Sequence, residues 1–289
     1  MEWFIFAFGA AILVSGAALV QKKTLLKEHA LEYSAILALT NFLFSLLFIP
    51  KANFDIGLLN YGILYAGSWL GAVAFLFVSK AVRHMEVSAA SPLLNFGPAI
   101  TAILAFFVLQ EELAGLQIIG MGLLILGAYV LEIEGSIVNF FRPLKKIFKT
   151  KYIHYIFLAL LLYGFSSLVD RYMMLQGVTP ETFIVVIHAF IFFNFFILIN
   201  VFYDGVKGIK HDFKSMGKWI LLVSILTVSY RFLQIKAVSM AYVGLVSAIK
   251  RTSTLFTTLI GGTLFHEKNL LVKVLGCIIM LWGAVFIIL

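Results

Sequence analysis

Charge is scarce in this chain, and acid is scarcer than base. Only 12% of the 289 residues are Asp, Glu, Lys or Arg, with 14 acids against 22 Lys and Arg. Soluble globular domains carry about 25% charged residues, so a water-solvated surface is excluded. Cysteine is nearly absent: Cys277 alone cannot form an intrachain disulfide, and it reads as a small buried apolar residue. His, Cys, Asp and Glu never fall at metal-ligand spacing. No glycine loop of the phosphate-cradling kind precedes a lysine and a hydroxyl, which excludes an ATP-driven pump subunit by itself. No Ser, His and acid converge at one depth, so an intramembrane lipid-modifying enzyme lacks a catalytic set, and no cofactor is called for. Residues 1–20 lack a basic n-region and a small-residue cleavage site, and so read as a first membrane span.

What is abundant is apolar: 62% of residues. About 20 apolar residues cross the hydrocarbon of a bilayer. Ten segments qualify: 3–20, 33–50, 58–80, 86–109, 113–133, 153–170, 180–203, 217–236, 241–264 and 270–289. The fold class is an all-α polytopic membrane protein with ten transmembrane helices. Pro50 ends the second span, while Pro92 and Pro98 lie inside the fourth. There the freed carbonyls need protein or water partners. The longest link, 134–152, divides the chain into 1–151 and 152–289, two groups of five spans in one integrated membrane domain.

The two groups repeat. Displaced by 156 positions, residues 80–128 lie over 236–284 without a gap. Lys80 meets Lys236, Ser91 meets Ser247, Glu111 meets Glu267, Gly120 meets Gly276 and Gly127 meets Gly283. Each half has an odd number of spans, so the second enters the membrane from the opposite side. Such an inverted-topology repeat is the architecture of alternating-access carriers, with the substrate site near the midplane between the halves.

Pro98, Glu111, Gly120 and Gly127, echoed by Glu267, Gly276 and Gly283, resemble the EamA-type transporters of the drug/metabolite transporter superfamily. The resemblance spans nearly the whole chain. It implies ten helices in two inverted five-helix halves around a central cavity, and carriage of small metabolites. Lys250-Arg251 is similar to a Lys-Arg pair in the ninth span of sugar-phosphate translocators, which grips an anionic group.

Lys250 stands roughly 15 Å from the nearer end of its span, counted at a rise of about 1.5 Å per residue. A cation at that depth costs about 2.5–3.5 kcal/mol by insertion scales. The functional reading is an anion grip, with Arg supplying a planar fork and Lys a point charge. The alternative is a counter-ion for a structural carboxylate. Asp170, at the end of the sixth span, is the main candidate partner, and Arg231 on the eighth is its natural mate. His188 reads as a hydrogen-bonded core histidine or a substrate ligand. Asn95 aligns with Arg251 across the repeat. Tyr65, Trp69, Tyr163 and Tyr230 are polar-tipped rings that either line a cavity or simply pack. Glu111 and Glu267 fall at span ends, where hydration and a helix junction suit them.

Loops on one side of the membrane carry 15 Lys and Arg; the side holding both termini carries Lys51, Arg171 and Lys236. The positive-inside rule places the termini outside, whereas the family resemblance implies termini in the cytoplasm. The net charge of +8 thus reports orientation, not a nucleic-acid partner. The expectation is a monomeric or homodimeric multi-pass carrier of the cell membrane, in contact with lipid. It would move a small anionic or zwitterionic metabolite: an amino acid, organic acid, or sugar or organic phosphate. A carrier of drug-like or lipid-linked compounds, with Lys250 and Arg251 structural, is the alternative.

Overall fold

A computed structural model describes residues 2–25, 30–84, 93–132, 152–202, 206–257 and 270–289. Among these the regular structure is helical, with no strand. The helices are α1 (Glu2–Leu25), α2 (Ala30–Ser45), α3 (Leu58–His84), α4 (Gly97–Leu109) and α5 (Gly115–Glu132). They continue as α6 (Ile153–Leu175), α7 (Pro180–Phe202), α8 (Val206–Met240), α9 (Val243–Lys250) and α10 (Leu270–Ile288). Six are long and apolar enough to cross a bilayer, and α4, α5 and α10 are shorter apolar helices. The link 134–151, Pro92 and Glu267 lie outside the described residues.

Several boundaries follow from local chemistry. A 3-10 turn, Leu46–Lys51, closes α2 and contains Pro50, which cannot continue a helical ladder. Gln110 takes a left-handed conformation after α4, with φ 56°. Helix α8 begins 11 residues before the expected span start at 217. Residues such as Lys207, Lys210 and Asp212 carry helical backbone beyond the apolar segment, because hydropathy marks the membrane and not the helix.

Helix partners are exchanged between the halves in a regular way. Helix α1 packs on α8 and α3 on α6; α2 packs on α8 and α3 on α7; α4 packs on α6 and α1 on α9. Each of these pairs becomes its mate when α1–α5 are exchanged with α6–α10. Helices α2 and α7, α4 and α9, and α5 and α10 pack on their own counterparts.

The α5–α10 contact is the tightest for a physical reason. A Cβ on Gly127 would stand 2.5 Å from Met280 Cγ and 2.8 Å from the Gly276 carbonyl, and one on Gly283 would stand 2.7 Å from the Gly120 carbonyl. The repeated glycines let two backbones touch, and dispersion replaces the hydrophobic force that lipid cannot supply.

Candidate functional site

The polar residues gather where α6, α8 and α9 meet. On α6, Tyr163 and Asp170 are seven residues apart, two turns along one face. On α8, Arg231 and Gln234 are three apart, again on one face. Arg231 donates from both terminal nitrogens to Asp170, at 3.1 and 3.3 Å. This is the pairing expected of Asp170. Its guanidinium also lies 6.0 Å from the Phe183 ring centre, a cation–π distance. Lys250 Nζ donates to Gln234 Oε1 at 2.9 Å. Gln234 is 2% exposed, and sequence reading missed it: a single amide in an apolar helix carries no signal until its partner is known.

Lys250 lies within electrostatic reach of Arg231, Arg251 and Asp170. Tyr163 is likewise within reach of Tyr230 and Arg251. Asp170 is 3% exposed, yet Tyr163, Tyr230, Arg231, Lys250 and Arg251 are only half-buried. Ionisable side chains within membrane bundles are rare and are read first as functional-site candidates.

The fourth and ninth spans are both broken, at equivalent places. Residues 95–96 form a turn before α4, and residues 251–252 form a turn after α9, with helix resuming at 253. The 156-position repeat superposes these turns, so Asn95 and Arg251 occupy one break each. In the fourth span Pro98 lacks the N–H that a continuous helix needs. In the ninth, the Thr252 hydroxyl donates to the Ile249 carbonyl at 2.8 Å, competing with the helical ladder. The adjacent cations therefore diverge. Lys250 reaches α8, whereas the Arg251 guanidinium lies against Gly97 of α4, where an added Cβ would be 3.1 Å from Nη2.

A second ion pair sits at the end of α6 toward the side of both termini. Arg171 Nε donates to Glu111 Oε1 at 2.8 Å, and its Nη1 donates to the Val238 carbonyl at 2.6 Å. Glu111 Oε2 accepts the Val243 N–H at 3.0 Å. Glu111 thus closes the α8–α9 junction, the structural task its position suggested. The expectation of hydration is corrected: Glu111 is 5% exposed. Burial pushes its carboxyl up, opposed by the Arg171 guanidinium and the Val243 N–H. Arg171 leaves the outer loop count as well, since it is spent inside the protein.

Of the remaining expected residues, His188 lies within electrostatic reach of Arg231, while Tyr65 and Trp69 make apolar contacts. His188 Nδ1 bonds to the Ile184 carbonyl of its own helix at 2.8 Å and is 3% exposed. Tyr65 meets Phe190 edge-on at 5.3 Å. Trp69 packs against an apolar cluster that includes Ala35, Ala38 and Phe195 of α2 and α7. Among the described residues, no cluster of His, Cys, Asp and Glu could hold a metal ion.

The model of the EamA-like transporter family matches residues 1–133 and again 150–289, one copy in each half. The chain belongs to the EamA-like transporter family. This EamA chain is therefore a multi-pass membrane transporter of the drug/metabolite type. A protein of known crystal structure resembles it over 100% of this chain and 99% of its own, with TM-score 0.75 and 13% identity. At that identity the likeness shows the fold alone. No curated protein matches the chain in sequence.

Proposed function

We propose that this EamA transporter moves a small anionic or zwitterionic metabolite across the cell membrane by alternating access between two inverted halves. One observation carries the reading: Arg231, Lys250 and Arg251 lie inside the helix bundle, half-buried, with Lys250 in electrostatic reach of both arginines. Asp170 is the carboxylate that answers Arg231. A substrate bearing an anionic group suits such a field, and a neutral one gains nothing from it. The partner exchange of the helices and the two matches of the family model support the two-fold repeat. An inverted pair can swap conformations and so expose one site to either side. Amino acids, organic acids and organic or sugar phosphates are the substrate classes. The loop charges support termini outside, and the internal use of Arg171 sharpens that bias.

Counterflow into proteoliposomes tests the reading. Vesicles are loaded with an unlabelled amino acid, organic acid, sugar phosphate or neutral sugar, and entry of the labelled compound is followed. Saturable entry of an anionic class is expected, lost in Lys250→Ala/Arg251→Ala while the variant elutes as a folded species. Entry of neutral compounds only, or undiminished anion entry in the double variant, would overturn it and leave the cations structural.

A further inference from the structure

Asn95 is 1% exposed, and its Nδ2 has no hydrogen-bond partner. A buried amide donor left unanswered is costly, and native proteins carry few of them. This one stands in the break of the fourth span, two residues before Gly97. There α4 begins, 13 residues long. The first turn of a helix presents backbone N–H groups that favour an anion. The positive end of the α4 dipole points the same way. Against Gly97 lies the Arg251 guanidinium, delivered by the matching break of the ninth span. The unpartnered amide of Asn95 thus stands two residues from the glycine against which the Arg251 guanidinium lies, and amide, helix terminus and cation each favour the same guest.

We propose that Asn95, the α4 N-terminus and Arg251 form a subsite for one anionic oxygen group, a phosphoryl or a carboxylate. The inference rests on the anion-carrier reading and divides its labour. Arg251 and Asn95 hold the charged group. Lys250, tied to Gln234, and Arg231, tied to Asp170, face the remainder of the substrate. Two residues related by the internal repeat would therefore act on the same oxygen atoms from opposite halves. Gly97 is the residue that lets them approach, since a side chain there would meet Arg251.

The test is thermal unfolding of the purified full chain in detergent, with inorganic phosphate, succinate or sucrose titrated in. The variants are Asn95→Leu, Asn95→Asp and Lys250→Gln. For wild type, phosphate or succinate should raise the melting temperature and sucrose should not; whichever ion acts names the anion. Asn95→Leu should weaken that ion's apparent affinity tenfold or more, and Lys250→Gln by less. Without ligand, Asn95→Leu should melt at or above the wild-type temperature, because it removes an unanswered donor. Asn95→Asp should bind no anion, since its own carboxylate takes the place beside Arg251. Unchanged anion affinity in Asn95→Leu, or a lower melting temperature without ligand, overturns the subsite and leaves the carrier reading intact. A wild type that responds to neither ion overturns the subsite, and counterflow then decides the carrier reading separately.

Discussion

Asp170 and Arg171 are neighbours on α6, and each forms an ion pair, but the two pairs live in different surroundings. Arg171 donates to Glu111 and to the Val238 carbonyl, while Glu111 accepts from the Val243 backbone. Both side chains are dry, at 11% and 5% exposure. Arg231 opposite Asp170 keeps 20% exposure and shares its field with Lys250. Adjacent helix positions point about 100° apart, so one α6 turn serves two compartments. The dry pair fastens the α4–α5 link to the α8–α9 junction. The half-open pair borders the site. Exposure separates the two pairs where sequence distance cannot.

Removing one partner of the dry pair should have the largest effect. Glu111→Ala is expected to cost about 3–5 kcal/mol, because Arg171 would stay charged and unanswered. Denaturant unfolding in micelles measures this. Glu111→Leu/Arg171→Leu should be markedly more stable than Glu111→Ala, since a matched apolar pair avoids the desolvation that Glu111 suffers. Equal loss in both proteins would remove the distinction between a paired and an orphaned charge.

The half-open pair should respond less in stability and more in function. Asp170→Asn is expected to cost about 1.5–3 kcal/mol, the usual worth of hydrogen bonds to charged groups. Because it frees Arg231, anion affinity should rise, as titrations monitored by melting temperature would show. Reduced affinity would mean that Asp170 positions Arg231 for substrate.

A third comparison uses glycine. Gly127→Ala should lose about 1–3 kcal/mol by overpacking, because its Cβ would meet Met280 and the Gly276 carbonyl. Gly71→Ala should be near neutral, since its nearest neighbour, Ser166 Oγ, would stand 3.5 Å away. Similar melting temperatures for the two variants would refute the close approach of α5 and α10. Lys250→Ala/Arg251→Ala should still fold, because removing two cations from membrane depth relieves their burial cost and offsets the lost hydrogen bond to Gln234, while anion counterflow is abolished.

Much of the fold was legible because apolar length and repeat are one-dimensional properties. Span positions needed only a count of apolar residues, and the glycines at 120, 127, 276 and 283 appeared as a pattern before their contact was seen. The proposed site was legible by scarcity: in so apolar a chain, each interior charge stands out, which singled out Asp170, Arg231, Lys250 and Arg251. Arg171 and Gln234 escaped because their meaning lies in partners 60 and 16 residues away. Glu111 was placed at the right junction and given the wrong solvent. A span end reads as wet unless neighbouring helices are known to cover it.

The sequence by itself determined that this chain lies in a membrane, that it has ten spans in two related halves, and which side chains must repay their burial. Those follow from composition, periodicity and self-similarity, which require no knowledge of neighbours. Only the tertiary structure decided that Lys250 and Arg251 part company. One is held by Gln234 on α8, and the other lies against Gly97 on α4. A break in the helix and the packing of its neighbours set those directions, and direction is a property of three dimensions.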